Sequence, residues 1–154
     1  MNKYFLAALA ILFWVTQAVA GEVNVTQAWV RATAAGQDSA AVALHITSQK
    51  DANIVEVSSP AASHVEIHSM THENGMMKMR ELDSFELKAR QEVALGSNGN
   101  HLMLVGLKKP LVAGETAKIV LTLQFGDKHK EKLEVNAEVI PLTESYDEHM
   151  HHHS

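Results

Sequence analysis

The sequence predicts an all-β domain, an antiparallel β-sandwich or small Greek-key barrel, and three observations predict it. Short runs alternate between apolar and polar residues, as in residues 64–70, 101–107, 116–125 and 133–140. Turn formers separate these runs at short intervals: Ser58-Ser59-Pro60, Asn74-Gly75, the stretch from Gly96 to Asn100, and Gly126-Asp127. Beyond the first twenty residues no stretch carries a helical period of 3.6. Seven to nine short strands at this spacing fit such a fold.

The chain opens with a segment that reads as a secretory signal rather than as structure. Lys3 supplies a basic start, residues 4–15 are apolar, and Ala18-Val19-Ala20 offers the small residues that a signal peptidase requires. A dozen apolar residues fall short of the roughly 20 needed to cross a bilayer as a helix. Cleavage is therefore expected after Ala20, leaving a domain over residues 21–143 and a polar tail over 144–154 in a soluble, exported, periplasmic protein.

Strands are expected next over residues 22–33, 41–47 and 54–57. The alternation over 64–70 places Val65 and Ile67 on one face, with Glu66, His68 and Met70 on the other. Asn74-Gly75 predicts a type I′ hairpin turn, because both central residues of that turn need positive φ. Facing residues across such a hairpin have numbers that sum to an odd value, so Met77 and Met79 come to the face of His68 and Met70. A slip by two residues keeps this parity, whereas a one-residue bulge breaks it. Short strands follow over 85–88 and 92–95. Residues 101–107 then point Leu102 and Leu104 one way and His101 and Met103 the other.

Composition excludes several functions. The 154 residues carry a formal charge of −5, or −6 once Lys3 leaves with the signal, which disfavours nucleic acid and anionic membranes as partners. The chain has no cysteine, so neither disulfides nor the cysteine of a lipoprotein anchor is available to it. A blue-copper electron-transfer site, which needs a cysteine thiolate, is excluded for the same reason.

His68, Met79, His101 and Met103 are the candidate metal ligands, in the spacing His68-x10-Met79-x21-His101-x-Met103. Residues two apart on a strand stand about 6 to 7 Å apart on one face, so His101 and Met103 can both reach one ion, and the hairpin supplies a second pair. Imidazole and thioether are neutral and soft or borderline, a set that favours copper(I) over magnesium or calcium. Thioether is a poor zinc ligand. The competing reading makes Met79 and Met103 core filler and the histidines surface residues. Met70 and Met77 are candidate accessory thioethers, with apolar cover beside the site as the alternative. His72 is expected in the turn, and His45, His64 and His129 as strand or turn residues. Four neutral ligands that close a site leave no open position for catalysis, so an enzyme is not expected.

The same spacing resembles that of the periplasmic CuA copper chaperone family (PCuAC), and the likeness extends over most of the mature chain. Trp29-Val30-Arg31-Ala32-Thr33 is similar to that family's early Trp-x-Arg segment. Ser59-Pro60-Ala61-Ala62 resembles its turn before the first histidine, and residues 101–111 resemble the signature beginning at the second. The resemblance implies a cupredoxin-like fold, copper(I) on His68, Met79, His101 and Met103, and delivery to the CuA-domain subunit of cytochrome c oxidase, directly or through a Sco-type thiol protein. A copper-buffering or resistance protein is the alternative. The tail residues His149, His151, His152 and His153 resemble the extension that in some members holds a second copper, often copper(II); a cloning remnant is the rival reading. Trp29 is expected in the core with Arg31 beside it, without a ligand role.

Overall fold

The computed structural model describes residues 22–96 and 99–144. The expected signal segment, Ser97 and Asn98 of the 96–100 turn, and the tail from residue 145 onward lie outside the described residues. Among those described there are ten strands and no helix, and so no helix long and apolar enough to cross a membrane.

In chain order the strands are β1 (Val23–Arg31), β2 (Ser39–Ser48), β3 (Ala52–Ser58), β4 (Ala62–Glu73), β5 (Met76–Leu82), β6 (Phe85–Leu87), β7 (Glu92–Leu95), β8 (His101–Leu107), β9 (Thr116–Phe125) and β10 (Lys130–Ile140). Ten strands stand where seven to nine were expected, and the expected return strand of the Asn74-Gly75 hairpin is among them. One hydrogen-bonded path runs β5-β4-β8-β2-β1-β10-β9-β3-β6, with β7 also on β2. Every pairing is antiparallel except β1 with β10. The inner faces meet in a core whose fully buried members include Leu44, Ile46, Ile54, Leu102, Leu104, Ile119 and Leu121.

Burial of Leu102 and Leu104 fixes the orientation of β8. Rotating β8 by one residue would expose both, at about 1.5–3 kcal/mol each, so His101 and Met103 must face away from the core. Val65 and Ile67 do the same for β4, since both pack against the core.

The first strand departs from simple alternation. Gln27 has φ 51° and the β1–β2 register shifts between Thr26 and Trp29, a β-bulge. Val23 and Val25 pack inward before the bulge, Ala28 and Val30 after it. Trp29 is thereby turned out of the core, half-buried, with the Arg31 guanidinium carbon 5.6 Å from its ring centroid. This corrects the expectation of a core tryptophan: the residue added at Gln27 inverts which side chains point in.

Candidate metal centre

The hairpin carries the first half of the site. Asn74 and Gly75 have φ of 52° and 76°, as a type I′ turn requires, and the turn sets the β4–β5 register. His68 faces Glu81, Met70 faces Met79, and His72 faces Met77. His72 lies within β4, not in the turn as expected, with its Nδ1 against the Met77 sulfur. On the other side of β4, His68 faces His101 and Glu66 faces Met103.

All four candidate ligands therefore share the outer face of three adjacent strands, as do Met70 and Met77. The imidazoles of His68 and His101 meet edge to face, with centroids 5.2 Å apart. Met79 and Met103 flank His68 on opposite diagonals, one toward the hairpin turn and one away from it. By register Met70 is nearer to His101 than Met79 is, because β5 lies two strands, about 10 Å, from β8. Met76, Met77 and Met79 are exposed along the hairpin arm, whereas Met70, His101 and Met103 are half-buried.

His68 is only 7% exposed, and its hydrogen bonding is lopsided. Nε2–H donates to Glu66 Oε2 at 2.6 Å, whereas Nδ1 is buried with no partner. A buried acceptor without a donor is costly, about 1–3 kcal/mol, unless something else takes its lone pair. His101 Nδ1–H donates to the Gly99 carbonyl at 3.2 Å, which leaves Nε2 as that ring's acceptor. Each histidine thus has one nitrogen tied to the protein and the other free to donate a lone pair to a metal, the arrangement usual for metal-bound imidazoles. The donor set fits copper(I).

Sequence reasoning placed Glu66 on the face of His68 and Met70 but gave it no role. Its Oε1 also accepts from His64 Nε2 at 3.0 Å, and the two hydrogen bonds, that from His68 first, hold its carboxyl below the usual range. Same-face alternation over His64, Glu66 and His68 was the available signal. Glu81, facing His68, was missed because the register could not be fixed. Glu73 is taken up by Lys78 and Arg80, each at 3.0 Å.

Gly99, at φ 89°, lies close against Met70, where an added Cβ would stand 2.9 Å from the Met70 Cβ. Next to His101 a groove of about 360 Å³ is lined by Trp29, Arg31, Ala41, Ala43, Gly96 and Leu142 as well. The other histidines lie elsewhere: His45 pairs with Glu92 at 3.0 Å, and His129 with Asp127 in the β9–β10 turn. Glu22, His129 and Glu131 come within 4.8 Å of one another, but Lys50 already neutralises Glu22 at 2.7 Å. The tail histidines His149, His151, His152 and His153 lie outside the described residues.

The fold is cupredoxin-like, as in solved PCuAC domains: the apo PCuAC domain of PmoF1 superposes with a TM-score of 0.63 at 20% identity, over 79% of this chain and 95% of that one. The chain belongs to the LpqE-like, PCuAC-type family, whose model matches residues 23–139. DR1885 of Deinococcus radiodurans, solved in its copper(I) form, is 31% identical, with a TM-score of 0.58 over 82% of this chain and 85% of that one. Lxx21020 of Leifsonia xyli subsp. xyli, which carries a lipoprotein name, is 39% identical over 106 residues. That match takes in 68% of this chain but only 63% of the relative's length.

Proposed function

We propose that this protein is an exported, periplasmic copper(I) chaperone that holds the ion on His68, Met79, His101 and Met103. The observation that carries the reading is the buried, unpartnered Nδ1 of His68, in a ring whose centroid lies 5.2 Å from that of His101, on a face that also presents thioethers. Neutral soft donors match copper(I), and DR1885, solved with copper(I), is similar over most of both chains. Met70 and Met77 serve as accessory thioethers on the same face. The role is one of binding and transfer rather than catalysis.

The acceptor we propose is the CuA-domain subunit of cytochrome c oxidase, reached directly or through a Sco-type thiol protein. Cysteine thiolates there are softer and charged, so transfer from a neutral His2Met2 site should run downhill. Mixing the copper(I)-loaded protein with the apo CuA domain, with and without the Sco-type protein, should move copper to the oxidase domain. Retention of copper in both mixtures, with deletion strains impaired only in excess copper, would make the protein a copper buffer instead. We also propose that the imidazoles of His149, His151, His152 and His153 hold a second ion as copper(II). Truncation after Thr143 should remove that stoichiometric equivalent and spare copper(I) binding; equal copper(II) uptake by the two forms would dismiss the tail site.

A further inference from the structure

His68 is the most buried of the four candidate ligands, and an imidazole so placed must present the correct nitrogen before the ion arrives. In a neutral ring one nitrogen carries the proton and the other the lone pair, and whatever bonds to one decides the role of its neighbour. Here the determinant is Glu66, two residues back on the same face of β4. Its Oε2 lies 2.6 Å from His68 Nε2, and its other oxygen is held at 3.0 Å by His64, so the carboxylate is fixed from both sides. An ionised carboxylate only accepts. The proton of His68 is therefore drawn to Nε2, and Nδ1, buried and unpartnered, is left with its lone pair.

We infer that Glu66 is the positioning residue of this site: by accepting the His68 Nε2 proton it commits the buried Nδ1 lone pair to copper(I). The inference rests on the copper reading proposed above and adds a residue outside the ligand set. His64 supports it from the solvent side. Its imidazole is more than half exposed and touches the carboxylate oxygen that His68 does not use. His64 thus steadies Glu66 without needing to approach the metal.

Full-length Glu66→Ala and Glu66→Gln variants test this in two stages. The first stage needs no copper. The ring ¹⁵N shifts of His68 in the apo protein should report a single tautomer with the proton on Nε2. In Glu66→Ala the signals should move toward a mixture of tautomers, and Glu66→Gln should restore the wild-type pattern, because its side-chain carbonyl still accepts. A His68 that keeps its tautomer in Glu66→Ala overturns the positioning role. The second stage is competition for copper(I) against a chromophoric chelator. Loss of a group that orients a ligand typically costs 10–100-fold in metal affinity, the loss expected for Glu66→Ala, with Glu66→Gln closer to wild type. Wild-type affinity in Glu66→Ala would also overturn the role. A wild-type protein that takes up no copper(I) would instead sink the copper reading, and the apo tautomers would still decide whether Glu66 sets the His68 ring.

Discussion

Met79→Ala should separate copper binding from folding more cleanly than any other change at this site. Met79 is 55% exposed on an arm of the hairpin whose other residues, Leu82 apart, are also exposed, so truncation removes little that the core uses. The stability cost should stay within about 0.5 kcal/mol, as at other surface positions. The cost in copper(I) affinity should be far larger. Losing a group that merely orients a ligand already costs about 10–100-fold, so losing a ligand should cost on the order of 100-fold or more, about 2.7 kcal/mol. Met70→Ala is the necessary comparison, since Met70 faces Met79 and is nearer to His101 by register. Met77→Ala is the control: it is as exposed as Met79 but two cross-strand pairs farther from His68. Competition against a chromophoric copper(I) chelator, with urea denaturation in parallel, reads both quantities. Met79→Ala should fall by two decades, and Met70→Ala and Met77→Ala by less than one. If instead Met70→Ala collapses and Met79→Ala binds as wild type does, the ligand assignment at Met79 is wrong and the central strand supplies the thioether.

Two further outcomes test the fold, one beside the site and one away from it. Gly75→Ala and Gly96→Ala both place an L-residue at positive φ, costing about 1–2 kcal/mol, but an added Cβ at Gly75 meets nothing within 4 Å, whereas at Gly96 it would stand 2.5 Å from the Ala43 Cβ and 2.9 Å from its Cα. Gly96→Ala should therefore lose about 1–3 kcal/mol more in urea unfolding, and equal losses would contradict the close β2 contact. In the β9–β10 turn, Asp127 raises the pKa of His129 while its own is lowered. The raised His129 value means that its stabilising share is complete below the unfolded value near 6.5 and fades as pH climbs through the folded pKa. The lowered Asp127 value puts its share above 3.8, lost as pH falls through the folded pKa. NMR titration of Asp127→Asn should bring His129 back toward its ordinary range, and an unmoved His129 would refute the pairing.

What was legible in the sequence follows from the period of the β-strand. A two-residue period assigns a face without knowledge of register, so the placement of Met77 and Met79 with His68 and Met70 followed from the Asn74-Gly75 turn alone. His101 and Met103 were equally legible, because Leu102 and Leu104 claim the core between them. Parity says nothing about which strands become neighbours. That β4 lies between β5 and β8, bringing His101 against His68 and setting Glu81 opposite it, is a long-range fact of topology.

Trp29 shows where the same reasoning fails, and the failure is informative about the site. Counting inward positions from Val23 and Val25 leads to Trp29, and a large aromatic residue reinforces that assignment. The bulge at Gln27 reverses it, and no turn residue marks the reversal, since glutamine has no special preference for positive φ. The reversal puts Trp29 and Arg31 on the face that carries His101, separated from it by Ala41 and Ala43. The residue pattern Trp-x-Arg therefore belongs to the surroundings of the candidate metal centre and not to the core. A strand irregularity that costs ladder hydrogen bonds is kept here with the effect of re-aiming two side chains, as bulges beside functional sites commonly do. The outer face consequently reads as one continuous surface, from the methionines of the hairpin arm across the two imidazoles to the Trp29–Arg31 pair.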